Sequence, residues 1–162
     1  MKIFITGGGG FLGYRLALRL LEGKTLAGTD GKPAVISAVT LFDTAFPPNC
    51  DPRLNCISGD IAQSGALAAA MDADTHSVFH LAAVVSAGAE ADFDLGYRVN
   101  LDGTRYLLEA CRKLKSLPRL VFASSLAVFG GKYRRNRYRS NAPPAPCRHA
   151  GHRVRVFIVS HS

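Results

Sequence analysis

No stretch of the 162 residues reaches the roughly 18 to 20 consecutive apolar positions that a membrane-spanning helix needs. A secretory leader is not expected either. Met1-Lys2 is followed by a short apolar stretch that runs straight into four glycines, which break any apolar leader core. The four cysteines, Cys50, Cys56, Cys111 and Cys147, show neither Cys-x-x-Cys nor Cys-x-x-His spacing. No metal site is expected from them, and they read as free thiols of a chain in a reducing, cytoplasmic compartment. Acidic residues are missing from one end. Positions 1–131 carry twelve Lys+Arg and twelve Asp+Glu, whereas 132–162 carry eight basic residues and no acid, so the whole net charge of +8 sits in the last 31 positions. A break this sharp marks a boundary, and the segment is expected to be an irregular, disordered basic tail.

The remaining composition is that of a folded α/β protein about one domain long, with 48% hydrophobic and 20% charged residues. Lys2-Ile3-Phe4-Ile5 predicts a short buried strand ended by glycines. Leu12, Leu16 and Leu20 predict one face of an amphipathic helix, with Arg15, Arg19 and Glu22 on the other. Positions 23–34 read as a glycine-rich loop. Further strands are predicted at 34–42, 54–58, 77–81 and 119–123. A short helix capped by Ser64 is predicted to run through Met71. A longer one spans 99–114, with Leu101, Thr104, Leu108 and Cys111 on its buried stripe and Asp102, Arg105, Glu109 and Arg112 facing water. Strands alternating with helices at this spacing predict a Rossmann-type, doubly wound parallel sheet over 1–131. Arg153 to Val159 alternates like a strand at first, which fits an edge strand or an aggregation-prone segment.

In such a sheet all strand C-terminal ends lie along one edge, where an open α/β sheet binds its ligand. The run Thr6-Gly7-Gly8-Gly9-Gly10-Phe11-Leu12-Gly13 follows the first strand there. Gly7 permits the tight turn, Gly10 lets backbone amides approach a pyrophosphate, and Gly13 lets the helix lie close to the strand. The helix N-terminus offers orphan amides to the phosphates. A plain strand-to-helix turn needs fewer than four consecutive glycines. Asp43, ending the second strand, is placed to accept both adenosine ribose hydroxyls and to repel a 2′-phosphate, or else is a solvated turn residue. With no Arg close behind it, NAD is favoured over NADP. Asp60 is placed either to accept from the adenine amino group or to cap the turn after it.

Together, Thr-Gly-x-x-Gly-x-x-Gly, Gly59-Asp60-Ile61, His80-Leu81-Ala82-Ala83, Asn100-x-x-Gly103-Thr104 and Ser124-Ser125-x-Ala127-Val128-Phe129-Gly130 resemble the extended short-chain dehydrogenase/reductases of the NAD-dependent epimerase/dehydratase group. The stretch from His80 to Arg112 looks most like the D-erythronate dehydrogenase branch. The resemblance covers about residues 1–131. It implies an NAD-dependent oxidoreductase acting on a small hydroxy acid or sugar derivative. It implies that Phe11 and Leu12 offer amides to the pyrophosphate, Asp43 holds the ribose, and Asp60 and Ile61 meet the adenine. Leu81, Ala82 and Ala83 would line the cofactor channel, Asn100 would steady the turn after the fourth strand, and Ser125 would be the catalytic hydroxyl. Val85 stands where some family members have a Lys, which leans away from the UDP-galactose epimerase type.

The family's Tyr-x-x-x-Lys pair is missing, although its tyrosine is the general acid/base and its lysine lowers that tyrosine's pKa. Tyr133 and Tyr138 are followed four positions on by Arg137 and Ala142, and nothing positions His149 or His152 as a substitute base. Three functions compete: an oxidoreductase of the D-erythronate type, a non-catalytic chain that at most binds NAD, and a basic tail binding nucleic acid through Arg134, Arg135, Arg137 and Arg139 interleaved with Tyr133 and Tyr138. A solvated tail explains the arginines more simply than nucleic acid does. The family pairs through two helices per subunit, one of them carrying the Tyr-x-x-x-Lys pair, so its absence argues against dimerisation. The expectation is a C-terminally truncated or frame-shifted product, in frame to about Gly130 and then read out of frame to an early stop. Reading the gene in its other frames downstream checks this: a Tyr-x-x-x-Lys helix is expected there, and its absence defeats the frameshift.

Overall fold

The computed structural model describes residues 1–28, 31–84 and 91–124, together with the backbone of 125 and of 155–161. Strand β1 (Lys2–Thr6) is followed by helix α1 (Phe11–Gly23). Two short strands, β2 (Thr25–Ala27) and β3 (Pro33–Val35), precede β4 (Ala38–Asp43) and β5 (Asn55–Ser58). Helix α2 (Ala66–Ala70) leads to β6 (Thr75–His80). A continuous helical stretch then comprises α3 (Phe93–Tyr97), a π-helical segment (Arg98–Gly103) and α4 (Thr104–Lys113). Strands β7 (Arg119–Ser125) and β8 (Arg155–His161) complete the described elements.

Six strands form one sheet in the order β5-β4-β1-β6-β7-β8, with every pair parallel. Counted within this sheet the order is 3-2-1-4-5-6. It reverses at β1, which pairs β4 on one side and β6 on the other. The fold is therefore a Rossmann-type doubly wound sheet. Central strands of a parallel sheet are covered on both faces, hence the near-continuous apolar runs. Ile3, Phe4 and Ile5 are buried along β1, as are Val39, Leu41 and Phe42 along β4. One apolar cluster joins Phe4, Phe42, Val78 and Leu120 to Leu67 of α2 and to Leu107, Ala110 and Cys111 of α4. The other joins Ile3, Ile5, Val39 and Leu41 to Ala17 and Leu20 of α1. Among the described residues no helix is long and apolar enough to cross a membrane.

Several local expectations shift. The buried face of α1 is Gly13, Ala17 and Leu20, while Leu12 is exposed. The smallest side chains face inward because they let the helix sit close to the sheet. The buried stripe of α4 is Leu107, Ala110 and Cys111, with Leu101 and Leu108 exposed. Adjacent leucines at 107 and 108 make both phases plausible on periodicity alone. The predicted loop at 23–34 contains β2, and the predicted strand at 34–42 is two strands. Its first part, β3, pairs antiparallel with β2 (Leu26 opposite Ala34), and only β4 joins the main sheet. Ser64 does not cap α2: the capping residue is Gly65 at φ 85°, with no side-chain bond. Of the alternating segment 153–159, the edge-strand reading is realised over 155–161, where Arg155–His161 pairs in register with Arg119–Ser125.

Leu107 is fully buried between α4 and the sheet. Leu107→Ala is expected to lower unfolding stability by about 2–5 kcal/mol through the cavity it leaves, checked by urea titration followed by circular dichroism.

Candidate functional site

The glycine run occupies the end of β1. Gly7 adopts φ 71° and donates its N–H to Phe42 O at 3.0 Å, which turns the chain towards α1. A Cβ on Gly7 would lie 2.6 Å from Ala82 N, so the loop passes directly against the segment that follows β6. Gly13 packs on the loop itself, one residue beyond the strand: a Cβ there would stand 2.1 Å from Gly7 O. The length of the run has its own cause. A Cβ on Gly8 would strike Leu41 Cβ at 2.6 Å, and one on Gly9 would strike Ala45 O at 1.8 Å. Gly10 is the N-terminal cap of α1, and the first amide to find a partner along the helix is that of Tyr14, donating to Gly10 O at 2.9 Å. The amides of Phe11, Leu12 and Gly13 therefore have no acceptor within the helix, and no acidic residue stands in its first turn. That is the electrostatic arrangement an anion seeks.

A cavity of about 380 Å³ opens beside this loop. Gly7, Gly10, Asp43, Asp60, Ile61, Leu81, Ala82 and Ala83, all singled out from sequence, line it. Phe42, Thr44, Gly59, Val84, Leu95 and Val99 line it too and were not anticipated as lining. Gly59 had a readable signal in its place before Asp60: a Cβ on it would meet the buried Phe42 ring at 2.5 Å. Leu95 and Val99 come from a helix whose start lay outside the predicted span. Phe11 and Leu12 stand at the exposed start of α1, and Gly13 lies behind the loop. The backbone of Ser125 ends β7 on the same sheet edge, three residues past Phe122, which is opposite His80. Its side chain, and Val85, Cys147, His149, His152 and the tail arginines and tyrosines at 133–139, lie outside the described residues.

Hydrogen bonds fix the polar groups of this cavity. Asp43 Oδ2 accepts the Gly9 N–H at 3.0 Å, and Oδ1 accepts the Thr44 N–H at 2.7 Å. Oδ1 also accepts the Thr44 hydroxyl at 3.4 Å. The carboxylate thus ties the glycine loop to the end of β4, while Oδ2 keeps a lone pair for a further donor. Asp60 Oδ1 accepts the Ala62 N–H at 2.8 Å, so this carboxylate caps its own turn. Asn100 pairs reciprocally with the Val84 main chain: Val84 N–H donates to Oδ1 at 2.8 Å, and Nδ2 donates to Val84 O at 3.0 Å.

In the sequence His80 stands out only as part of a motif; in the structure it is a bridge. It is almost fully buried, with Nδ1 2.6 Å from Thr6 Oγ1 and Nε2 2.9 Å from Thr104 Oγ1. Thr104 donates its own hydroxyl to Asn100 O at 2.6 Å, so it accepts from His80 Nε2–H. Thr6 Oγ1 accepts the Ala82 N–H at 3.4 Å and donates to Nδ1. One neutral tautomer satisfies every partner. Burial with no facing charge pulls the imidazole pKa down to about 4.

A doubly wound sheet with an anion-seeking glycine loop at its switch point defines a dinucleotide-binding type of domain. The model of the NAD dependent epimerase/dehydratase family matches residues 3–151, and the chain belongs to that family. D-erythronate dehydrogenase from Cupriavidus necator is 53% identical over 133 residues, which are 82% of this chain and 41% of that protein. The crystal structure of the nucleoside-diphosphate-sugar epimerase from Agrobacterium tumefaciens superposes with a TM-score of 0.68 at 40% identity, covering 82% of this chain and 39% of that one. UDP-glucose 4-epimerase from Brucella ovis in complex with NAD gives 0.64 at 28%, covering 82% and 38%. The chain thus spans about two fifths of the length of these relatives.

The depressed His80 pKa links stability to acidity. Unfolded, this histidine titrates near 6.5; folded, near 4. Between those values the unfolded chain binds a proton that the folded chain refuses. Its contribution is therefore complete above pH 6.5 and is lost as pH falls towards 4, by about 3 kcal/mol. Urea unfolding across this range is expected to show the decline, and His80→Gln to flatten it.

Proposed function

We propose that this chain is the NAD-binding part of a dehydrogenase acting on a small sugar acid of the D-erythronate type, and that these 162 residues bind NAD with little or no turnover. The observation that carries the reading is the cavity at the switch point, with Asp43 bonded across to the glycine loop. The absent side chains at Gly7, Gly9 and Gly13 leave backbone, with no Cβ, facing the loop's surroundings. The free amides at the start of α1 suit a pyrophosphate.

In this reading the amides of Phe11 and Leu12 hold the pyrophosphate, Asp43 takes the adenosine ribose hydroxyls, and Gly59, Asp60 and Ile61 border the adenine. Because Asp60 already caps its turn through Oδ1, Oδ2 is left for the adenine amino group. Leu81, Ala82 and Ala83 form the channel wall, and Asn100 holds that wall through Val84. A carboxylate at the ribose repels a 2′-phosphate, which favours NAD over NADP. Bound NAD supplies the hydride acceptor for alcohol oxidation. Ser125, on the same edge, would hydrogen-bond the reacting hydroxyl. The substrate type rests on the likeness to D-erythronate dehydrogenase.

Oxidation also needs a group to take the hydroxyl proton. None of Tyr14, Tyr97, Tyr106, Tyr133 and Tyr138 has a lysine four positions on. That observation favours a binding-only chain over a self-sufficient enzyme.

Isothermal titration with NAD and NADP tests the cofactor assignment. NAD is expected to bind more tightly, and Asp43→Ala to weaken it by about 10- to 100-fold, the loss of charge-assisted hydrogen bonds. No heat with NAD defeats the proposal. NADH formation from D-erythronate by the same sample overturns the binding-only part.

A further inference from the structure

In the connection between β4 and β5, Cys50 faces Cys56, which lies in β5. Their sulfurs lie 2.7 Å apart, both thiols are free and both are half-buried. Each is held in place by its neighbours. Cys56 belongs to β5, opposite Leu41 of β4. Cys50 is fixed through the residues beside it: the Tyr14 hydroxyl of α1 accepts the Asp51 N–H at 3.0 Å and donates to Asn49 O at 3.4 Å. Between the two cysteines the chain makes a tight, self-bonded turn. Leu54 N–H donates to Asp51 O at 3.0 Å, and Arg53 N–H donates to Asp51 Oδ1 at 2.9 Å. The Arg53 guanidinium grips both oxygens of that carboxylate, at 2.9 and 2.6 Å. A six-residue sequence separation is thereby folded back so that the two sulfurs meet.

We propose that Cys50 and Cys56 are a modification site, a pair that closes into a reversible intrachain disulfide when the protein meets a peroxide. The Cys50 thiolate attacks one peroxide oxygen, the O–O bond breaks, and the departing hydroxide is protonated to water, leaving a sulfenic acid on Cys50. The Cys56 sulfur then attacks the Cys50 sulfur. The S–O bond breaks, and the hydroxyl leaves with the Cys56 proton as a second water. Two thiols are oxidised by two electrons in all, and one peroxide is reduced to two waters. Burial, and then the contact with Cys50, push the Cys56 thiol above the usual range, which gives the first attack to Cys50; Cys56 passes its proton to the departing hydroxyl as its own sulfur attacks. The bond would pin the β4–β5 connection at the point where β5 runs on to Ser58, whose hydroxyl donates to Thr44 O at the cavity rim.

Trypsin cuts after Arg53, between the two cysteines, and leaves Lys32-Pro33 intact, so the pair falls on peptides 25–53 and 54–98. The full chain is treated with one equivalent of hydrogen peroxide, alkylated, digested and analysed by mass spectrometry. The expected result is a linked 25–53/54–98 species lacking two hydrogens, with Cys111 and Cys147 alkylated, and full release of both peptides by dithiothreitol. Cys50→Ser is expected to abolish the linked species, and Cys56→Ser to leave a Cys50 sulfenic acid that a dimedone probe traps. Cys50 and Cys56 alkylating freely after peroxide treatment overturns the proposal, as does a link that maps to Cys111 or Cys147. Thermal unfolding separates an accommodated bond from a forced one. A melting point about 5 °C higher in the oxidised chain is expected for a closed loop of this size, and a lower one overturns the proposal too.

Discussion

The imidazole of His80 lies where β1, the segment after β6 and the long helix meet, and it holds all three through two hydrogen bonds. Its Nδ1 takes the Thr6 hydroxyl and its Nε2 gives to Thr104, and both threonines are in turn committed, to the Ala82 amide and the Asn100 carbonyl. In a buried setting an unpaired polar atom costs far more than a made bond contributes, so the chain of partners acts as a unit. The glycine loop begins at one end of this unit and the cavity wall at the other. Both surfaces that would meet a dinucleotide are thus positioned by a residue buried from solvent.

Around that bridge the site is shaped by sterics. Gly7 crosses against Ala82, Gly8 against Leu41, Gly9 against Ala45 and Gly13 against Gly7. These approaches put the main chain of the loop in contact with β4 and with the wall at once, and no side chain fits between. The Asp43 carboxylate then bonds the loop across the gap. Its orientation is set before any ligand arrives, which lowers the ordering cost of binding.

Much of this was legible in the sequence because the chemistry was local. The strands at Lys2–Thr6 and Ala38–Asp43 are largely apolar runs, Val78 and Phe79 mark the middle of Thr75–His80, and residues at strand C-terminal ends converge by topology alone. Eight of the anticipated residues line one cavity. What was illegible depended on distance or on small side chains. His80 has its partners 74 and 24 positions away. The inward face of α1 is built on Gly13 and Ala17, which carry no hydrophobic signal beside three leucines. The β2–β3 hairpin is short and mostly exposed, so it lacks the alternation that marks a strand. The contact of Cys50 with Cys56 depends on a turn built by Asp51 and Arg53, which no spacing rule encodes.

The π-helical segment at Arg98–Gly103 holds one more residue in its turn than an α-helix would. Asn100 and Thr104 are thereby offered to Val84 and His80 while the helix runs on into α4 without a break. Length matters here more than identity. Many substitutions on the outer side of this turn leave the geometry alone, whereas losing a single codon would rewind it to a regular helix and swing Asn100 by about 100°. In this stretch of the chain, therefore, a one-residue deletion disturbs the site more than a point change on the outer side of the turn.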